Sequence, residues 1–343
     1  MTRTAELAAC AALCAALAAP AGAQPAAPAA GDSSAAVREH VAGAYRIAAP
    51  DAEAFGLGFL CQSTPGLFKR MLGMRDAPDG AAVITGKVFD NISYIGFDWV
   101  GTYLVDTGAG LILIDTLNSP GEAESVIVPS IRKLGFDPKD LKYVLLTHGH
   151  FDHFGGARYL QDRFGVRVAM GAKDWDVVEG RPAADQAKLP GPRRDVVLGD
   201  GDEVRLGNTV LKVVSTPGHS PGTVSLLMTG RWRGRSQVLT LAGGSAMPPG
   251  LADAAQYHDS FHKLWEAGTR AGAVGVLSTH PFMMGALPRL EQVRRLSGGG
   301  KAANPFVLGP AGYQRFMRAQ DACIDANMQR MAGAPAPQPL GGH

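Results

Sequence analysis

Charge of one sign, cysteine and long apolar runs are all scarce in this chain of 343 residues. Lysine and arginine number 33 against 31 aspartate and glutamate, a formal net charge of +2. A protein that grips a phosphate backbone needs a basic stripe, so this even balance excludes nucleic acid as the main partner. After the N-terminal segment no apolar run approaches the roughly 20 residues that cross a bilayer, which excludes a stable membrane anchor there. No repeat of 20–50 residues is visible, so a solenoid or propeller is excluded as well. What remains is 46% hydrophobic and 19% charged, the composition of a globular chain with a core.

The chain has four cysteines. Two of them, Cys10 and Cys14, fall in a segment that reads as a signal peptide over residues 1–23. Arg3 supplies its positive start, Leu7 to Leu17 its apolar stretch, and Ala21-Gly22-Ala23 a small-x-small cleavage pattern before Gln24. Leu7-Ala8-Ala9-Cys10 looks like a lipoprotein signal, but almost no apolar stretch precedes that cysteine. The expected product is a periplasmic or secreted protein that keeps Cys61 and Cys323. In an oxidising compartment such a pair favours a disulfide over two buried thiols. It would tie the N-terminal region to the C-terminal helix, contributing several kcal/mol in the chain-entropy model. Residues 24–36, rich in Ala, Pro, Gly and Ser, read as a flexible segment, and residues 332–343 as a disordered tail. Residues 37–331 read as a single domain.

Within that domain strands and helices mix. Residues 91–95 and 102–105 are β-rich runs around a turn, and 110–115 is a continuous apolar run, as in a strand covered on both faces. A helix is expected from about 122 to 134, ended by Gly135, then a strand at 142–147 and a helix at 152–164. Further strands are expected at 167–170, 209–214, 223–228 and 237–242. Further helices are expected at 172–178, 252–272 and 311–331. The alternation is irregular, so a layered α/β domain fits better than a simple doubly wound sheet.

The chemistry concentrates in Thr147-His148-Gly149-His150-Phe151-Asp152-His153, where a buried strand gives way to a helix. His148 and His150 can project the same way at period two, while Asp152 and His153 turn into the first helical turn. Imidazole and carboxylate are common metal donors, and so many polar side chains would not be buried together without a cation to satisfy them. Two distant histidines also follow strands: His219 in the rigid loop Thr216-Pro217-Gly218-His219-Ser220-Pro221-Gly222, and His280 in Leu277-Ser278-Thr279-His280-Pro281.

These three stretches together resemble the metallo-β-lactamase superfamily. With Ile112-Leu113-Ile114-Asp115 and the export signal, they look most like the third subclass of class B β-lactamases and its periplasmic relatives. The resemblance runs over about residues 88–285. It implies an αβ/βα sandwich, two facing mixed sheets with helices outside, and two zinc ions at one edge. By carry-over His148, His150 and His219 would hold the first Zn2+, and Asp152, His153 and His280 the second. Asp115 would support the ligand loop from behind. Asp152 would also act catalytically, orienting a metal-activated water for attack on a carbonyl. The activity implied is β-lactam opening on a small-molecule substrate, hence antibiotic resistance, with a non-lactam ester, lactone or amide as the alternative. All the imidazoles must be neutral to bind metal, so activity should fall on acidification.

One departure stands out. Many superfamily hydrolases carry a metal-bridging aspartate after the strand that here ends at Leu241-Ala242, and typical third-subclass lactamases have Asp-Ser. This chain has Gly243-Gly244-Ser245. The missing acid disfavours a glyoxalase II type of thioester hydrolase and weakens the lactamase reading. A single-iron oxygenase, as in the superfamily's persulfide dioxygenases, is disfavoured by the six potential ligands. Phe97, Trp99 and Ser245 are weaker candidates for a lip over the substrate. His258 and His262 are spaced i, i+4, a possible metal pair, but on an expected surface helix without a further acid to complete a site they read as ordinary surface histidines. Arg231, Arg233 and Arg235 around Trp232 read as a solvated hairpin tip, and 180–194 as a Pro-rich loop.

Overall fold

The computed structural model describes residues 34–51, 55–62, 82–248, 250–296 and 302–333. The expected signal peptide, most of the expected flexible segment and most of the expected tail lie outside these. At the boundaries the helices reach further than the sequence reading allowed. Helix α1 spans Ala35–Ala48, because the Ser34 hydroxyl accepts from the Val37 backbone N–H at 3.1 Å and caps it. The last helix runs to Gly333 rather than 331.

After α1 and the short α2 (Leu57–Leu60), a meander forms: β1 (Ile84–Phe89), β2 (Ile92–Gly96), β3 (Gly101–Asp106) and β4 (Leu111–Ile114). Helix α3 (residues 120–133) leads to β5 (Leu141–Leu145). Helices α4 (Phe151–Phe154) and α5 (Ala157–Phe164) then lead to β6 (Arg167–Gly171). Helix α6 (Ala172–Glu179) and helix α7 (Ala183–Lys188) precede β7 (Val196–Leu198), so the expected 180–194 loop contains a helix. Strands β8 (Glu203–Leu206), β9 (Thr209–Ser215), β10 (Val224–Trp232) and β11 (Arg235–Ala242) follow. The chain closes with α8 (Leu251–Arg270), β12 (Gly275–Ser278), α9 (Ala286–Leu296) and α10 (Gly309–Gly333).

The strands make two mixed sheets. The first has the order β1-β2-β3-β4-β5-β6-β7, antiparallel through β4 and parallel from β4 onward. The second has the order β12-β11-β10-β9-β8, with β11 and β12 parallel. The side-chain period of two explains how they stack. In β4, Ile112 and Ile114 join Leu226, Leu239 and Leu241 of the second sheet in a core between the sheets. Leu111 and Leu113 face the other way, into a core with Ile127, Phe154 and Trp175 of the flanking helices. Both faces are dry, which is why that strand reads as an unbroken apolar run. The result is the expected αβ/βα sandwich with helices outside.

Two expected helices are interrupted. In α3 residues 123–127 form a π turn, and Pro129, lacking an N–H, cannot continue the regular ladder there. The expected 152–164 helix breaks at Gly155, where a Cβ would lie 2.1 Å from the Asn118 carbonyl carbon. That close approach lets the Thr116 N–H donate to the His153 carbonyl at 2.7 Å, pinning the ligand-bearing turn to the end of β4. Cys61 and Cys323 form a disulfide, joining the segment after α2 to α10.

Candidate metal centre

All six candidate ligands lie at one edge of the sandwich, each just past a strand. His148 and His150 leave β5, Asp152 and His153 sit on α4, His219 lies between β9 and β10, and His280 follows β12. Backbone bonds lock the two sheets together here. The Val224 N–H donates to Thr147 O at 2.9 Å, and the Gly101 N–H to Thr279 O at 2.8 Å.

The six form two sets of three. In the first, His148 Nε2, His150 Nδ1 and His219 Nε2 make a nearly equilateral triangle with sides of 3.1, 3.0 and 3.0 Å. In the second, His153 Nε2 and His280 Nε2 approach Asp152 Oδ2 at 3.5 and 3.6 Å. The sets abut, with the His148 and His153 rings 3.9 Å apart between centroids. His148, His153, His280 and Asp152 are buried, while His150 is exposed, so access is from the His150 side.

The groups behind the imidazoles fix which nitrogen faces inward. His219 Nδ1 lies 2.6 Å from Ala246 O, and His280 Nδ1 2.7 Å from Trp99 O. A carbonyl can only accept, so both Nδ1 atoms carry the proton and both Nε2 atoms present lone pairs. His153 Nδ1 donates to Asp115 Oδ2 at 2.7 Å in the same way. The Thr147 hydroxyl donates to Asp115 Oδ2 at 2.8 Å, which leaves its oxygen to accept from His148 Nδ1 at 3.0 Å. Asp115 also takes the Thr147 N–H at 2.7 Å. Its backbone sits at φ 64°, a left-handed conformation that costs a non-glycine residue about 1–3 kcal/mol. The carboxylate is thereby aimed at both the Thr147 turn and His153.

This arrangement fits divalent cations. Lone pairs of His148 and His219 converge at 3.0 Å with no proton between them. His153 Nε2 is buried and has no hydrogen-bond partner among the described residues. Asp115, Asp152 and Asp174 are buried carboxylates in contact with the same loops. Inward lone pairs and buried negative charge both call for positive ions, and imidazole with carboxylate is a donor set suited to zinc.

Comparison with known proteins agrees with the geometry. Residues 100–231 match the family model described as the metallo-β-lactamase superfamily. A hydroxyacylglutathione hydrolase of Anaeromyxobacter dehalogenans is 31% identical over 205 residues, covering 59% of this chain and 68% of that one. The chain belongs to the metallo-β-lactamase superfamily. A second hydroxyacylglutathione hydrolase, of Acidiphilium cryptum, is 32% identical, but the match spans 47% of this chain and only 57% of that protein's length. Among solved structures, a subclass B3 metallo-β-lactamase of Bradyrhizobium japonicum superposes with a TM-score of 0.56 at 28% identity, covering 69% of this chain and 90% of that one. The metallo-β-lactamase of Legionella gormanii gives 0.60 at 24%, covering 75% and 100%, and speaks to the fold alone.

Electrostatics within this superfamily site favour neutral imidazoles. Burial, with neighbouring imidazoles adding to it, holds His148 well below the usual histidine range and brings His219 down to about 3. His150 and His280 are lowered by the same causes. His153 is the exception: burial lowers it, but Asp152 and Asp115 outweigh burial and raise it. For Asp152, burial pushes upward while His153, His280 and His150 prevail and hold the carboxyl low.

Other sequence expectations meet a different outcome. Trp99 is not a lip over the site: it is buried, its ring stacks on His280 at 6.3 Å, and its carbonyl orients that histidine. Phe97 is half-buried and packs on the helix-side core. Ser245 lines a cavity of about 20 Å³ with Leu60, Tyr257 and Cys323, on the α10 side. Gly243 and Gly244 form a close-packed turn. Gly244 has φ +67°, and a Cβ there would fall 2.5 Å from His219 Cβ, so the histidine packs where an acidic side chain would start. Asp174 escaped the sequence reading altogether. It is fully buried and accepts from the Gly149 N–H at 2.9 Å, the Ser220 hydroxyl at 2.5 Å and the Gly222 N–H at 2.9 Å. One carboxylate therefore joins the His148–His150 turn to the His219 loop. Its only sequence signal is an aspartate shortly after a strand. Finally, the fold brings Asp321 against His258 and His262, which had seemed to lack an acid.

Proposed function

We propose that this superfamily hydrolase is an exported, zinc-dependent enzyme that opens the amide of β-lactam antibiotics. The observation that carries the hydrolytic reading is the contact between a three-imidazole set and an Asp-His-His set at an open edge of the sandwich. His148, His150 and His219 would hold one ion and Asp152, His153 and His280 a second. Zinc ions so held would polarise a carbonyl and bring the pKa of bound water toward neutrality. Asp152, kept ionised by His153, His280 and His150, would help hold the second ion and would orient the attacking water by accepting its hydrogen bond. Asp115 and Asp174 hold the ligand loops still, so the donors need not reorganise during the reaction. Neither set contains serine or cysteine, and with two ions to activate it water would serve as the nucleophile.

The likeness to a subclass B3 lactamase at 28% identity supports β-lactams as the substrate class. A second reading, a thioester or other ester as substrate, is supported by the relatives named hydroxyacylglutathione hydrolases. The close-packed glycines at 243 and 244 count against a thioester, since they leave no acid where thioester hydrolases of this superfamily carry one. They also remove the Asp-Ser of typical third-subclass lactamases, and so favour a non-thioester ester, lactone or amide within the second reading. A panel on zinc-loaded protein separates them: a carbapenem, a cephalosporin, a lactone and a hydroxyacylglutathione thioester, with His150→Ala as control. Lactam opening lost in the control supports the proposal. Thioester turnover without lactam opening supports the second reading.

A further inference from the structure

We propose that the protein carries a separate binding site for a divalent transition-metal ion between α8 and α10, formed by His258, His262 and Asp321. The histidines are one helical turn apart on α8, and Asp321 comes from α10. His258 Nε2 and His262 Nε2 are 3.1 Å apart, and they lie 3.1 and 2.9 Å from Asp321 Oδ1. A triangle with sides near 3 Å is what three donors make around one ion. At zinc–ligand distances of about 2.0–2.2 Å the ion would sit roughly 1 Å above their plane, leaving outer positions for water. The first set of the superfamily site has almost the same triangle, with sides of 3.0–3.1 Å.

The surroundings suit a cation. Asp325, one turn further along α10, places Oδ1 3.9 Å from His258 Nε2, and its other oxygen is 3.7 Å from His40 Nδ1 of α1. Two carboxylates thus face one pair of imidazoles. The three donors are 25–40% exposed and His262 opens onto a solvent groove with Trp265 and Glu266, which gives an ion a way in. Without metal the same contacts satisfy Asp321 as a plain acceptor of two imidazole N–H groups, so the proposal stands or falls on metal binding itself.

The site would also reach the catalytic edge. Between the two histidines, Ser260 Oγ donates to Pro217 O at 2.6 Å, and the Tyr257 backbone packs directly on Gly218. An ion that clamps α8 to α10 would therefore brace the loop that presents His219.

The test is zinc content of the full chain after zinc loading and dialysis, together with cobalt absorption. The proposal expects His258→Ala/His262→Ala to hold one zinc per chain fewer than wild type. A His148→Ala/His150→Ala protein should keep that ion, and the further change His262→Ala should lower its cobalt content by one per chain and remove the corresponding component of its cobalt spectrum. These differences are read independently of hydrolysis and of how many ions the catalytic edge takes. Asp321→Asn, which keeps size and hydrogen bonding, should also lose the ion, and it reports should the double variant fail to fold. Equal zinc content in wild type and Asp321→Asn would overturn the proposal.

Discussion

The two histidine clusters share a triangle of donors about 3 Å apart but differ in what holds the donors in place. At the sheet edge the imidazoles are fixed from behind by Asp115, Thr147, and the carbonyls of Trp99 and Ala246. The loops that carry them are joined by Asp174 and by backbone bonds between the two sheets. Between α8 and α10 the donors stand half-exposed on two helical faces. The first cluster is organised before any ion arrives, whereas the second must lose side-chain freedom on binding. Rigid, water-poor donors suit catalysis, and an accessible surface triangle suits reversible binding or bracing.

The largest effect expected at the sheet edge comes from removing a donor outright. His150→Ala deletes one corner of the first triangle on its open side, and the loss of several kcal/mol of metal-derived stabilisation lowers kcat/KM by about a thousandfold. The same change should leave the α8–α10 cluster intact. Steady-state kinetics beside zinc content checks both halves; activity within tenfold of wild type contradicts the assignment.

Next comes the staple beside the second cluster. Cys323 lies on α10 between Asp321 and Asp325, and its bond to Cys61 closes a separation of 262 residues. Cys61→Ser is expected to cost about 2–5 kcal/mol in urea unfolding of the protein. Zinc affinity at the sheet edge should change much less, because no donor there is borne by α10.

Asp115→Asn tests preorganisation without touching a donor. It weakens the anchors of both Thr147 and His153 and should lower zinc affinity at the sheet edge about 10–100-fold. Unchanged affinity, read by competition with a chromogenic chelator, would mean that the loop holds its shape without that carboxylate.

The sheet-edge donors were legible in the sequence because they are either adjacent, as at 148–153, or set in stiff loops, as at 219 and 280. Strand β4 was legible for an equally simple reason: a strand dry on both faces is apolar at every position. Elements with weaker patterns escaped. β1 has only its last two residues buried, and β7 is three residues long with one buried position, so neither shows alternation over a useful length. Asp174 and the α8–α10 cluster escaped for another reason. Asp174 meets Gly149 across 25 residues and Gly222 across 48, and Asp321 meets His258 across 63. Nothing local in the chain marks such meetings. Trp99 was misjudged because a turn aromatic reads alike whether it lines a cleft or packs behind a ligand.

Acid acts on the sheet-edge cluster through its buried imidazoles. Protons bind the unfolded imidazoles near pH 6.5, but burial and neighbouring imidazoles keep folded His148, His150, His219 and His280 lower, with His219 at about 3. Below pH 6.5 the unfolded state therefore binds more protons, so metal-free protein loses stability as pH falls. Asp152 acts in the same direction, since its lowered carboxyl contributes stability above about pH 4 that is lost on further acidification. His153 opposes them: its raised value contributes stability below pH 6.5 that fades as pH rises. Four lowered imidazoles outweigh one raised imidazole in this range, so the urea midpoint of metal-free protein should drop from pH 7 to pH 5, with the Asp152 contribution lost only at still lower pH. A His148→Ala/His150→Ala protein should show a smaller drop. A midpoint that rises toward pH 5 would mean His153 dominates.

The smallest effect expected is at Trp99. Its backbone carbonyl, not its indole, accepts the His280 Nδ1 proton, so Trp99→Phe keeps the bond that fixes the inward nitrogen. What changes is a ring stacked 6.3 Å from the imidazole and some buried area, a contribution of about 0.5–1.5 kcal/mol to packing. A change there should lower the melting temperature modestly and leave kcat/KM within about threefold. A tenfold loss of kcat/KM at unchanged zinc content would instead make the indole part of the substrate wall. The sheet-edge cluster would then be held in place partly by a side chain that also meets substrate.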